Sequence, residues 1–190
     1  MTLEEMKALP EDKQKALYNK IKEIRNLGKV VNFSSVYGAG PPKIALTSGM
    51  PLPQAVKLHK TYWERNKAVK KVANSFLTKE IEEDNVIQKW LFNPVSCFWY
   101  SLREEKDKFS TGNQSSAVYC FDSWVNIVRS KGIRVSFQYH DEILFPLLKV
   151  DREEVTKKLN DSIKELNQKI VLNVPLGISI DFGTDYSKVH

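Results

Sequence analysis

The sequence predicts an α+β fold, with helices dominating the first half and helices packed against antiparallel strands in the second. Two long helical patterns occupy much of the first 79 residues, and a long apolar helix follows further along. Beyond that helix, two short alternating segments flank the triplet His140-Asp141-Glu142. With 190 residues, 42% of them hydrophobic and 11% aromatic, the chain can bury a real core as one domain or two small subdomains.

Taken in order, Leu17, Ile21, Ile24, Val30, Phe33 and Tyr37 recur three or four apart for the most part, which predicts a helix over 11–37. The segment Gly38-Ala39-Gly40-Pro41-Pro42 ends it in a tight turn. A second, solvated helix is expected from Pro53 to about Lys79, with Lys57, Lys60, Arg65, Lys67, Lys70 and Lys71 around it. Residues 85–100 lack a helical period and suggest a short hairpin. Gln114–Lys131 reads as a buried helix, with a largely apolar and aromatic middle interrupted by Asp122 and Asn126. Ile133–Tyr139 and Ile143–Phe145 alternate on either side of an acidic turn, as hairpin strands do. Asp151 should cap an amphipathic helix running to Lys169, and Leu176–Phe182 alternates like a final strand.

Composition narrows the function class. No apolar run approaches the roughly 20 residues that span a bilayer. The opening MTLEEMKALPEDKQK is charged where a signal peptide is apolar. A soluble, cytoplasmic protein without a membrane partner is expected. Cys97 and Cys120 lack CxxC spacing and nearby histidines, so they read as small packed groups rather than metal ligands or a cross-link. A net charge of +6 and a pI of about 9.2 favour a polyanionic partner.

Two constellations carry chemistry. Arg25, Lys29, Phe33 and Tyr37 fall at spacings of four, so a helix stacks them along one face with the cations first and the rings after. Arg25 could grip outer phosphates with its planar fork, and Lys29 could neutralise the phosphate under attack. Phe33 could lie against sugar or base, with Tyr37 and Gly38 shaping the floor. The same residues also suit a mixed surface helix whose cations are solvated and whose rings lie in the core. In the second constellation, His140-Asp141-Glu142 places carboxylates at a bend, where oxygen ligands can meet a hard divalent cation such as magnesium. A polar hairpin turn is the plain alternative.

The string Arg25-x3-Lys29-x3-Phe33-x3-Tyr37-Gly38 resembles, position for position, the fingers-helix motif of family A DNA polymerases. His140-Asp141-Glu142 resembles the palm motif of the same family. The resemblance implies a helical fingers subdomain over 1–105 and part of an antiparallel-sheet palm with packed helices over 106–190. It also implies that Arg25 and Lys29 bind the incoming deoxynucleoside triphosphate (dNTP), that Phe33 helps select deoxyribose, and that Tyr37 stands beside the template base. Asp141 would coordinate magnesium, with two ions expected in the complete enzyme; Glu142 would support the metal site and His140 would contact the primer end. Arg25, Lys29, Tyr37 and Asp141 form the implied catalytic set. Single-subunit RNA polymerases usually have methionine at the position of Phe33 and lack the glutamate, so both motifs favour DNA synthesis.

Gln114 is similar to the palm glutamine that touches the minor-groove side of the primer-template DNA. Ser110 stands where the family often has asparagine, and Lys106 replaces a common arginine while keeping a charge for phosphate. The end, Gly183 to His190, resembles the family's closing glycine, aromatic and histidine. The segment from Lys79 to Lys106 lacks the family's glycine-arginine hairpin. Missing as well is the second metal-binding aspartate, which the family carries in a DYSxxE-type motif before the fingers helix; Asp84, Asp107 and Asp122 have no comparable setting. The expectation is therefore the C-terminal part, or a split subunit, of a family A DNA polymerase that needs a second polypeptide for that aspartate and for the thumb. The alternatives are a noncatalytic DNA-binding remnant and an RNA polymerase relative.

Overall fold

The computed structural model describes residues 9–189; readings that fall on the segment 1–8 or on His190 lie outside them. The fold is α+β. By contacts it divides into two compact units, Met1–Phe92 with Trp99–Gly112, and Asn93–Phe98 with Asn113–His190. No described helix is long and apolar enough to cross a membrane.

In the first unit the opening pattern becomes one uninterrupted helix, α1 (Glu11–Val36), with Glu11 and Asp12 in its first turn, where the positive end of the dipole favours acids. Its far end closes by two crossed bonds, Gly38 N–H to the Ser35 carbonyl (3.1 Å) and Ala39 N–H to the Ser34 carbonyl (2.8 Å). This closure requires a left-handed residue between them, and Gly38 supplies it at φ +76°. The expected turn ends α1, but Pro41 and Pro42 also open a helix that the sequence reading missed, α2 (Pro41–Ser48). Proline suits a first turn because its missing N–H would have had no helical partner there. Val31, Ile44, Met50 and Ala55 form the buried core joining α1, α2 and α3 (Leu52–Arg65).

The single helix expected from Pro53 to Lys79 is two. Asn66 leaves helical geometry at ψ 41°, and its backbone and side-chain N–H groups both donate to the Tyr62 carbonyl at 2.9 Å. That double bond seals α3, and α4 (Lys67–Ser75) starts afresh. The chain then enters strand β1 (Thr78–Glu83), which pairs antiparallel with β2 (Val86–Asn93), beside which lies β3 (Phe98–Leu102). The sequence predicted a hairpin within 85–100; the observed sheet begins earlier and has three strands. Asp84 and Asn85 turn the first hairpin with φ 51° and 61°, the pair of positive angles a two-residue turn matching strand twist needs. Gly112 is buried for a packing reason, since a Cβ there would sit 2.3 Å from the Phe76 ring.

Helix α5 (Lys108–Ser130) begins six residues before the expected start at Gln114, and its part within the second unit sends Trp124, Val125, Ile127 and Val128 into a core shared with Val155, Leu159 and Leu166 of α6 (Arg152–Lys169). The Trp124 indole N–H donates to Ser162 Oγ at 2.8 Å inside that core. Strands β4 (Phe137–Tyr139) and β5 (Glu142–Leu144) form the hairpin, in register Tyr139 with Glu142.

Several expectations are corrected in this unit. Ile133–Ser136 is not strand: Ile133 is a core residue, and the alternation becomes a ladder only at Phe137. The turn is His140-Asp141 alone, so Glu142 belongs to β5. Asp151 precedes α6 without a side-chain cap bond, because a 3-10 turn already carries the chain into the helix. Leu176–Phe182 forms no strand, since alternation needs a neighbouring backbone to become a ladder; Asn167 instead bonds both the N–H and the carbonyl of Leu176. Cys120 is buried as expected, while Cys97 is exposed in a turn at φ 58°.

Candidate functional site

The α1 stripe survives folding intact. Arg25, Lys29 and Phe33 are exposed on consecutive turns, and Tyr37 follows at the C-cap. The Phe33 and Tyr37 rings stack with centroids 6.3 Å apart and planes 10° from parallel. Lys29 Nζ lies 5.9 Å from the Phe33 centroid, within cation–π range. Phe33 is 48% exposed and Tyr37 39%, so the rings are not core residues. The opposite side of α1 buries Val31 and Ser35. Among the described residues neither Arg25 nor Lys29 pairs with a carboxylate. An open depression of about 430 Å³ lies beside the stripe, lined by Asn26, Lys29, Phe33 and Thr47 among others. Two uncommitted cations followed by two stacked rings can receive a phosphate chain at one end and a planar or sugar group at the other.

Gly38 brings a further predicted residue to this end of α1. A Cβ on Gly38 would meet Lys106 Cγ at 3.4 Å, so the glycine's bareness is where the lysine stem lies. The Lys106 ammonium pairs with Glu104 at 2.7 Å, which holds its pKa above the ordinary lysine value. Ser110 Oγ donates to the Asp107 carbonyl at 2.9 Å, at the start of α5.

Gln114, on the same helix, is exposed. Its neighbours are fixed by a residue the sequence reading missed: buried Asn93 donates from Nδ2 to Ser115 Oγ at 2.6 Å and Ser116 Oγ at 2.9 Å, while its Oδ1 accepts from Val95 N–H at 2.8 Å. No local pattern marks Asn93, because its partners lie over 20 residues away.

In the second unit, Asp141 is exposed at the hairpin turn and His140 beside it adopts φ 51°. Glu142 Oε1 accepts from the Tyr186 phenol at 3.1 Å, and burial first, then this bond, raises the Tyr186 pKa. Tyr186, the aromatic of the closing segment, is a second residue to which sequence reasoning assigned no role.

No group of three His, Cys, Asp or Glu residues arranged to hold a metal occurs among the described residues. Magnesium is commonly held by one or two carboxylates, with water and substrate phosphate completing six oxygens. Asp141 and Glu142 fit that donor set as one side of a site, and they do not furnish a second ion's ligands. Next to the hairpin opens a groove of about 1520 Å³, floored by Trp124, Val155, Leu159 and Leu166 and walled by Ile143 and Ile178. The stripe and the hairpin belong to different compact units.

No protein-family profile matches the chain. Among curated proteins it is similar to DNA polymerase I of Helicobacter pylori (strain J99), with 24% identity over 168 residues covering 80% of this chain. The same alignment covers 19% of the relative, so the chain spans about a fifth of the length of the curated protein it matches. The sequence is thus related, distantly, to a DNA polymerase I.

Proposed function

We propose that the chain is the C-terminal fingers and partial palm portion of a family A DNA polymerase, acting in template-directed addition of deoxynucleotides to a primer 3′ end. The observation that carries this reading is the exposed stripe of Arg25, Lys29, Phe33 and Tyr37 on one continuous helix, ended by left-handed Gly38. In the reaction the primer 3′-hydroxyl attacks the α-phosphate of a dNTP and pyrophosphate leaves. Arg25 grips the outer phosphates bidentately, Lys29 neutralises the phosphate under attack, and the stacked rings seat sugar and base. Gln114, His140, Ser110 and Lys106 are assigned to primer-template DNA. Asp141, supported by Glu142, would hold magnesium, which supplies charge neutralisation at the phosphoryl group.

A complete two-ion site needs another carboxylate, so the reading includes a second polypeptide bearing an aspartate on a palm strand, together with a thumb. The apolar groove beside the hairpin supports this, since Leu176–Phe182 alternates without a ladder and an added strand would supply one.

The test is primer extension by the chain mixed with that upstream polypeptide. Extension is expected only from the pair, and Asp141→Asn should reduce it by about a thousandfold or more, the loss of several kcal/mol of charge stabilisation. DNA binding by the Asp141→Asn variant should be nearly unchanged. Extension that survives the substitution would remove Asp141 from the metal role, and silence from a well-assembled pair would favour a noncatalytic DNA-binding remnant.

A further inference from the structure

Away from both constellations, α3 and α4 carry Lys57, Lys60, Arg65, Lys67, Lys70 and Lys71 against a single acid, Glu64. All six cations are exposed, and among the described residues only Lys60 reaches a carboxylate, Glu64 at 4.0 Å. On α3, Lys57 and Lys60 lie on the side away from buried Ala55. On α4, Lys67, Lys70 and Lys71 share one face by their spacing of three and four.

Lys70 joins the two faces, its Nζ sitting 5.0 Å over the ring of Trp63 on α3. Trp63 is itself held in place. Its indole N–H donates to His59 Nε2 at 3.0 Å, and Tyr62 meets it edge-on at 5.1 Å. Burial first and the Lys70 charge second lower the His59 pKa, in keeping with a neutral imidazole that can accept this bond.

A face that serves solubility mixes both signs, whereas like charges three and four apart on a helix repel and destabilise it. Elsewhere in the same unit the signs are arranged differently: the β1–β2 hairpin carries Glu80, Glu82, Glu83 and Asp84 against Lys79 and Lys89. The joined α3–α4 face is therefore strongly positive, with six cations against one acid, and a fixed aromatic ring lies inside it.

We propose that this α3–α4 face binds the phosphate backbone of single-stranded nucleic acid, without reading its sequence, as a contact separate from the α1 stripe. Lysines that track a backbone around an aromatic ring are the pattern of sequence-tolerant single-strand binding, in which any base can lie on the ring. The inference rests on charge and ring placement alone, and it stands whether or not the chain takes part in polymerisation.

The test uses the full chain and a fluorescent oligothymidylate of about 20 nucleotides, titrated over a series of salt concentrations. The triple variant K57E/K67E/K71E should bind at least about tenfold more weakly, and its plot of log affinity against log salt should be shallower by about 2. K149E/K157E/K164E makes the same change in net charge on the other unit and should lose less than about threefold. Oligonucleotide should change the tryptophan emission of the wild type, and Trp63→Phe should abolish that change. Thermal melts verify that each variant is folded, and the glutamine triple at 57, 67 and 71 should show a smaller loss in the same direction. Equal weakening by the two charge-reversed triples, unchanged binding by the first, or tighter binding to a duplex of the same length would each overturn the proposal. The inference uses neither Arg25 nor Lys29, so a failure of the nucleotide reading is told apart from a failure here.

Discussion

The stripe on α1 and the acidic hairpin of the second unit differ in how much surrounding structure each needs. On α1, four side chains reach one face because backbone bonds of a single helix put every fourth residue there, and one glycine closes the end. The hairpin places Asp141 by a ladder of three residue pairs and leaves it beside an open apolar groove. A recognition surface built on one helix is locally complete. A carboxylate site made of several strands is only as complete as the strands present, which is why the stripe reads as finished and the hairpin as one side of something.

The largest stability effect is expected on the hairpin side. Leu166 is 1% exposed on α6 and helps floor the groove. Leu166→Ala removes three buried carbons where the open groove offers little to refill the space, so a loss of about 3 kcal/mol is expected. Urea unfolding checks it through a lower midpoint at unchanged slope. A loss below about 1 kcal/mol would mean that the groove walls close on the gap, and the contrast with the self-sufficient stripe would then weaken.

Legibility in the sequence follows the same divide. Helix α1, its closing glycine and the stripe could be read because all their determinants lie within 28 residues, Glu11 to Gly38. The helix of α6 was equally visible through Val155, Leu159 and Leu166. Where the reading failed, the deciding partner was elsewhere or the punctuation was misjudged. Asn66 looks like any polar helix residue until its amide bonds Tyr62. Pro41-Pro42 reads as a stop although it also suits a start. Leu176–Phe182 has the period of a strand, yet period alone supplies no hydrogen-bond partner. Asn93 and Tyr186, which brace Ser115, Ser116 and Glu142, act across 22 to 44 residues and leave no local trace.

On the stripe side, under the proposed polymerase reading, Arg25→Ala in the chain paired with the proposed upstream polypeptide should lower kcat/KM for dNTP addition about a hundredfold, the typical cost of one positioned phosphate donor. Arg25→Lys should recover only part of it, because an ammonium cannot make the forked contact. Helix content should not change, since the side chain is exposed and pairs with no described carboxylate. A loss of helicity alongside the loss of rate would break the comparison, because the stripe would then depend on more than its own helix.

The smallest effect sharpens the hairpin side. Lys131, just beyond α5, and Lys169 both bond Glu165 of α6, at 2.8 and 2.7 Å. These hydrogen bonds, that from Lys131 first, pull the Glu165 pKa down from the ordinary 4.5 to about 2. Because the folded value is depressed, the stabilisation is fully present above about pH 4.5 and is lost as pH falls from there through about 2, the unfolded chain taking up its proton first. With 34% of its side chain exposed, Glu165 is screened by solvent and salt, so the contribution is small. Glu165→Gln should therefore flatten the acid limb of thermal stability between those two pH values, and added salt should shrink the difference from wild type. Coincident acid limbs would show that the spacing of α5 and α6 is set by the Trp124–Ser162 core contact rather than by this ion pair.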